Sequence, residues 1–290
     1  MTRIVETLAE ISAQYDALFV DLWGCVHNGV AALPDAVAAL QTYRKSGGKV
    51  VLVTNAPRPF DSVAKQLDRF GVAADSWDAI ATSGDSARSA MFRGTVGEKV
   101  WFVGQPHDQN FFEPLALLED PVTITQVPLE EAEGIVCTGP VNPLAHPDEM
   151  RPQFLYAKQK GLKLLCANPD IVVDRGETRE WCAGALAQLY TEMGGESLYF
   201  GKPHPPIYDL ARRRLSALGS PVSDDRILCI GDGVLTDIKG AMGEDLDSLF
   251  ISGGLAALET KTDIQPDPDA LSAYLTKEMS SPTYTIGFLR

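Results

Sequence analysis

Short apolar runs that stop on a polar residue alternate with amphipathic stretches along most of the chain. ALFV at 17–20 stops at Asp21, and KVVLVT at 49–54 ends on Thr54. Runs this short predict buried strands. Between them Pro34 suits a helix first turn, and PDAVAALQTYRKSGG closes at Gly47 and Gly48. A helix through 59–71, a strand near 78–83, a helix over 84–94 and a strand at 99–104 follow. Further on come a strand in AEGIVCTG, a helix over 147–160, a strand in GLKLLCANPD and a helix over 181–193. A strand in SLYFGKP, a helix ending by Gly219 and a strand in DRILCIGDG extend the alternation. Each unit has the length of a βα step, so the pattern predicts an α/β protein with mainly parallel sheets. Pro and Gly gather at 104–106, 139–147 and 201–206, with no internal repeat, low-complexity segment or long linker.

Composition narrows the picture. With 290 residues and 45% hydrophobic content the chain can bury a sizeable core, as one large or two modest domains. A formal net charge of −14 and a pI near 4.7 disfavour nucleic acid and anionic membranes as partners. An anionic substrate must then be held by local charge. The opening MTRIVETLAEISAQYDALFV lacks a basic segment leading into a long apolar one. No apolar run approaches the roughly 20 residues of a membrane span, and the cytoplasm is the default location. Five cysteines with no CxxC pair indicate neither a disulfide framework nor a zinc site, and buried reduced thiols are expected.

Four expected strand ends carry chemically useful groups, at the edge where open α/β sheets place their sites. They are Asp21, Thr54, Lys202 in FGKPHPP, and Asp232 with Asp237 in LCIGDGVLTDIKG. Taken singly, each has a structural explanation as a turn, capping or solvated residue. Together they suit attack by a carboxylate on phosphorus, which requires a divalent cation, a fixed ammonium and donors for the phosphoryl oxygens. Asp232 and Asp237, five apart across a glycine-containing turn, can aim two carboxylates at one hard cation, and Mg²⁺ suits oxygen ligands. Thr54 has a hydroxyl to donate, and Lys202 can neutralise both nucleophile and phosphate.

Asp21, Thr54, Lys202 and GDGVLTD resemble, in order and context, the four motifs of the haloacid-dehalogenase-like hydrolase superfamily. TNAP, TSGDSA, ANPDIVVDRGETREWCAGALAQ and GKPHPPIY are similar to its type IIA subgroup, which includes nitrophenylphosphate, pyridoxal phosphate and sugar phosphate phosphatases. The resemblance spans nearly the whole chain. It implies a Rossmann-like core at 1–83 and 197–290 and an inserted α/β cap at 84–196. It also implies Asp21 as nucleophile, Thr54 and Lys202 as phosphate groups, and a small phosphorylated metabolite as substrate. The implied Mg²⁺ ligands are Asp21, Asp232, Asp237 and the backbone carbonyl of Trp23. Asn168 and Asp170 fall where the type IIA cap returns toward the core, as hinge or substrate-edge candidates, and Asn55 is a candidate for phosphate binding or the hinge. Capping and turn roles stay open for all three. Some members of the subgroup dimerise through the cap.

One position departs from the phosphatase pattern. Asp-x-Asp-Gly is usual there, the second Asp protonating the leaving alkoxide and later activating water, whereas this chain reads Asp21-Leu22-Trp23-Gly24. A carbonyl ligand survives any side chain, but indole cannot exchange protons, and general acid–base help is worth about 10²–10⁴ in rate. The expectation is a slow phosphatase or one with a substitute acid. A dehalogenase, which carries an aromatic residue there but needs no Mg²⁺, and a phosphometabolite-binding pseudoenzyme are the alternatives. His27 is a substitute proton carrier if its loop folds over the phosphate, or else a histidine satisfied by loop backbone. Arg58 reads as a loop charge, Trp101, Trp181 and Tyr190 as core anchors, and LEEAEG as a solvated turn.

Overall fold

The computed structural model describes residues 2–113, 120–175, 178–219 and 221–290. Gly176 and Glu177, inside the ANPDIVVDRGETREWCAGALAQ stretch, lie outside the described residues. In chain order the strands are β1 (Arg3–Ile4), β2 (Ala17–Val20), β3 (Lys49–Thr54), β4 (Ala79–Thr82), β5 (Lys99–Val103), β6 (Thr125–Gln126) and β7 (Gly134–Cys137). Then follow β8 (Lys163–Cys166), β9 (Val172–Arg175), β10 (Thr178–Trp181), β11 (Glu196–Tyr199), β12 (Ile227–Gly231), β13 (Asp247–Ile251) and β14 (Tyr284–Ile286).

The chain divides into two compact units. The first comprises Met1–Thr54, Ala64–Ala81 and Lys202–Arg290, and the second Asn55–Val63 and Thr82–Gly201. Asn55–Val63 thus packs within the second unit, although it lies inside the expected core span of 1–83.

The larger sheet has the order β1-β14-β13-β12-β2-β3-β4, with parallel pairing from β1 through to β3. Every residue of β2 and β12 is buried, as continuous apolar runs in a sheet covered on both faces require. Phe19, Val51 and Cys229 pack with Ile207, Tyr208, Ala211 and Leu215 of the helix Pro205–Ser216. Phe250 packs with Leu271 and Leu275 of the helix Pro268–Lys277.

In the second unit a parallel sheet runs β11-β8-β7-β5-β6. Its residues alternate between two clusters as the strand period of two dictates. Ile135, Cys137, Leu164 and Cys166 meet Phe154, Leu186 and Tyr190, while Val136 and Leu165 meet Met91 and Phe111. These two sheets bear out the expected α/β class.

Several local expectations need correction. Trp181 ends a strand rather than starting a helix: β10 pairs antiparallel with β9, and the helix is Ala183–Glu192. The helix expected over 147–160 opens with a tighter turn at Pro147–Met150 before Arg151–Gln159. LEEAEG is more than a solvated turn, because Leu129 is buried and Glu133 Oε2 accepts from the amides of Glu98 and Lys99, 2.9 and 3.2 Å away. Of the expected core anchors Tyr190 is fully buried, whereas Trp101 and Trp181 are half-buried. All five cysteines are buried, and none of them forms a disulfide. Among the described residues no helix is long and apolar enough to cross a membrane.

Candidate active site

Parallel strands place their carboxyl ends on one edge, and β12, β2 and β3 are neighbours there. Val20 is in register with Ile230 on one side and Leu52 on the other. Asp21 therefore leaves β2 beside the ends of both neighbours, its amide donating to the Ile230 carbonyl at 2.8 Å. Asp232 follows β12 and Thr54 closes β3, and all three residues are buried. The sheet register alone gathers them.

Lys202 reaches the same edge from the turn before the helix Pro205–Ser216. Its Nζ donates to Asp21 and to Asp237 Oδ1, the latter at 2.7 Å. Asp237 sits in a wide helical turn, Val234–Ile238, and its Oδ2 accepts from the Gly233 amide at 3.1 Å and the Thr236 hydroxyl at 3.3 Å. Asp232 Oδ2 accepts from the Leu255 amide at 3.0 Å. Gly24 (φ +69°) makes room for that carboxylate: a Cβ there would fall 2.2 Å from Asp232 Oδ2.

Asp21 and Asp237 hold the Lys202 ammonium, Asp232 adds a third buried carboxylate beside Asp21, and the imbalance shows in the protonation of Asp232 and Asp237. Burial, with the charges of Asp21 and Asp237, pushes Asp232 well above the usual carboxylate range. Burial raises Asp237 to about 6 despite the opposing pull of Lys202. For Lys202 burial acts downward, but Asp21 and Asp237 outweigh it and hold the ammonium charged. The cluster is short of positive charge, which a divalent cation would supply. Ligand atoms of Asp21, Cys25 and Asp232 lie within 4.8 Å of one another, a spacing one ion can bridge. The carboxylate oxygens fit Mg²⁺. Asp237 is outside that trio, engaged instead by Lys202, Gly233 and Thr236.

Trp23 is half-buried, and its indole lies against Gly29 (φ +83°), where a Cβ would fall 2.0 Å from the ring. Its ring meets His27 edge-on at 5.4 Å, and His27 meets Phe70 likewise at 5.0 Å. His27 is 1% exposed, and its Nδ1 accepts from the Gly29 amide at 3.0 Å. Burial lowers the imidazole to about 4, so near neutral pH it is uncharged with Nδ1 occupied. Of the two readings of His27, the geometry favours the histidine satisfied within its loop.

Asn55, Asn168 and Asp170 come together in the second unit. Asn55 Nδ2 donates to Asp170 Oδ1 at 2.8 Å, and the Asp170 amide donates to Asn168 Oδ1 at 3.0 Å. The second bond is an Asx turn, so Asn168 has the turn role as well. Arg58, in the loop after Asn55, is half-buried.

Two participants escaped the sequence reading. The Leu255 amide follows the Gly253-Gly254 pair, which marks the loop after the apolar DSLFI run and was a usable signal. Cys25 carries no sequence signal, because its approach to Asp232 is a tertiary contact.

Comparison with known proteins places this arrangement. A model of the haloacid dehalogenase-like hydrolase family matches residues 18–116, and an HAD-hydrolase-like model matches residues 199–277. A crystal structure of a hydrolase of the haloacid dehalogenase-like family from Brucella suis 1330 is 37% identical, over 99% of this chain and 100% of that one, with a TM-score of 0.84. The 5'-nucleotidase YutF of Bacillus subtilis is 25% identical over 256 residues, 88% of this chain and 93% of that protein. A glycerol phosphate phosphatase from Mycobacterium tuberculosis, solved in complex with calcium, is 25% identical with a TM-score of 0.64, over 84% of this chain and 68% of that one. With similarity of this extent joined to the four-motif edge of the larger sheet, the chain belongs to the haloacid dehalogenase-like hydrolase family.

Proposed function

We propose that this protein is a Mg²⁺-dependent phosphatase of a small phosphorylated metabolite, acting through an aspartyl-phosphate on Asp21. The observation that carries this reading is Lys202, buried between Asp21 and Asp237 in a carboxylate cluster still short of positive charge. A nucleotidase and a glycerol phosphate phosphatase among the relatives support a phosphorylated substrate. The second unit is the cap that selects it, and Asn55, Asn168 and Asp170 are its candidate substrate contacts.

Asp21, Asp232 and the Trp23 carbonyl would hold Mg²⁺, with Asp237 as a further ligand or a support for Lys202. When bound, the ion supplies charge neutralisation between the nucleophile and the phosphoryl oxygens. Lys202 keeps Asp21 ionised and oriented, and Thr54 donates its hydroxyl to a phosphoryl oxygen. An Asp21 oxygen attacks phosphorus while the ester bond breaks, and the leaving oxygen takes its proton from water. Trp23 has none to give. Water then releases phosphate and regenerates the carboxylate.

A site lacking a general acid should depend steeply on the leaving group. Phosphate release from nitrophenyl and acetyl phosphate should exceed release from alkyl phosphates, by about 10²–10⁴ if the whole acid contribution is lost. EDTA should abolish both. Equal rates across leaving groups would show that another residue supplies the proton. Halide release from haloacids in EDTA, with no phosphate release, would replace this reading with a dehalogenase.

A further inference from the structure

Cys25 is a donor in the candidate metal centre that the phosphatase reading leaves without a role. It is fully buried, and its Sγ lies within 4.8 Å of carboxylate oxygens of both Asp21 and Asp232. Among the described residues the thiol makes no hydrogen bond. Cys137 and Cys166, by contrast, sit among apolar side chains, and the Cys166 thiol donates to the Asn168 carbonyl at 3.3 Å. A sulfur set against two carboxylates is in different company.

The geometry suits coordination. Zinc bonds run about 2.0–2.3 Å to oxygen and sulfur, so three donors within 4.8 Å of one another can share one ion. Asp232 is fixed in this position. The Leu255 amide holds its Oδ2 at 3.0 Å, and Cβ atoms at Gly24 or Gly254 would fall 2.2 or 2.1 Å from the same oxygen. Mg²⁺ takes oxygen ligands, whereas sulfur favours softer ions, so a thiol in the first sphere changes which ion is preferred.

We propose that Cys25 makes this a mixed oxygen–sulfur centre, in which Asp21, Asp232 and Cys25 bind a thiophilic divalent ion, zinc or cobalt(II), in competition with Mg²⁺. The proposal rests on the reading of Asp21 and Asp232 as metal ligands. On coordination the thiol proton passes to solvent. Cys25 is then the metal-selectivity residue of the site, and zinc displaces Mg²⁺ from the two carboxylates.

Cobalt(II) titrated into the metal-free full chain reports sulfur ligation directly, through a thiolate-to-cobalt charge-transfer band in the near ultraviolet. The band should appear with the first equivalent, vanish on adding zinc, and be missing from Cys25→Ser. Competition calorimetry should show the ratio of zinc to Mg²⁺ affinity falling about 10–100-fold or more in that variant, since even outer-sphere substitutions have effects of that size. Cys25→Ala serves where serine disturbs the fold. A cobalt spectrum of the unsubstituted protein without the band overturns the proposal whatever the variants do, as does a band that persists in Cys25→Ser. Mg²⁺ binding with no cobalt–sulfur band rejects this inference alone, whereas binding of neither ion rejects the metal reading beneath it as well.

Discussion

Strand β2 has an aspartate beyond each end, Asp16 before it and Asp21 after it, and its neighbour β12 runs between Arg226 and Asp232. At the amino edge Arg226 meets Asp16 with two hydrogen bonds, of 3.0 and 2.7 Å, and the first effect of that pairing is to hold Asp16 below its ordinary value. Along the same edge Asp78 accepts from Arg44 Nε at 2.9 Å and from the Val50 amide at 2.8 Å. Burial pushes Asp78 upward, but Arg44 and that amide outweigh it and the net shift is down. At the carboxyl edge the same two strands bring Asp21 and Asp232 together, and Lys202 faces Asp21 and Asp237. One edge is charge-balanced and the other is not. Folding explains the balanced edge; the unbalanced one fits the cation and charged substrate proposed above.

The comparison breaks most severely at Lys202. Lys202→Met leaves three buried carboxylates without their counter-charge, and removing one partner of a buried pair costs about 3–5 kcal/mol. Urea unfolding at neutral pH should show that loss, with phosphate release gone. Adding Asp237→Asn should restore part of the stability and none of the activity, and strictly additive losses would show that the two residues are not coupled. Asp232→Asn should act in the opposite direction. It removes a charge that burial, Asp21 and Asp237 all oppose, so the metal-free protein should gain on the order of 1–3 kcal/mol. Its metal-dependent activity should disappear. A metal-free Asp232→Asn variant less stable than the unsubstituted chain would show that this edge is not strained.

The unbalanced edge was legible because its residues stand at the ends of continuous apolar runs, a local signal. Asp21, Thr54 and Asp232 could be placed from β2, β3 and β12 alone. Where the local signal is weak, expectation and structure part. The helix Ala183–Glu192 begins after Cys182, which gives no side-chain cap, so nothing in the sequence separates its start from Trp181. The hairpin partner Thr178–Trp181 has two exposed residues at its start and no long apolar run to announce it. The strands β13 and β14 and the helix Pro268–Lys277 complete the larger sheet and its cover, yet they lie beyond the last motif and were not anticipated. Cys25 illustrates the remaining limit: its approach to Asp232 is set by tertiary packing, which spacing along the chain does not encode, whereas the Gly253-Gly254 pair before Leu255 does mark a loop.

The smallest effect belongs to the balanced edge, and it sharpens the contrast through pH. Asp78 has its carboxyl lowered in the folded chain, so the unfolded state binds its proton more readily. Its contribution is present above the unfolded value, roughly 3.9, and is lost as pH falls through the lower folded value. Asp78→Asn should therefore destabilise the protein at neutral pH by about 1–2 kcal/mol, since charge-assisted hydrogen bonds from Arg44 become neutral ones. The gap in unfolding free energy between variant and unsubstituted chain should close only below about pH 4. Asp16→Asn at the exposed neighbouring pair should leave stability nearly unchanged, because two water-exposed partners gain little from each other. A gap at Asp78 that stayed constant into acid would mean that the side chain acts by shape alone, and the two edges would then differ in packing rather than in charge.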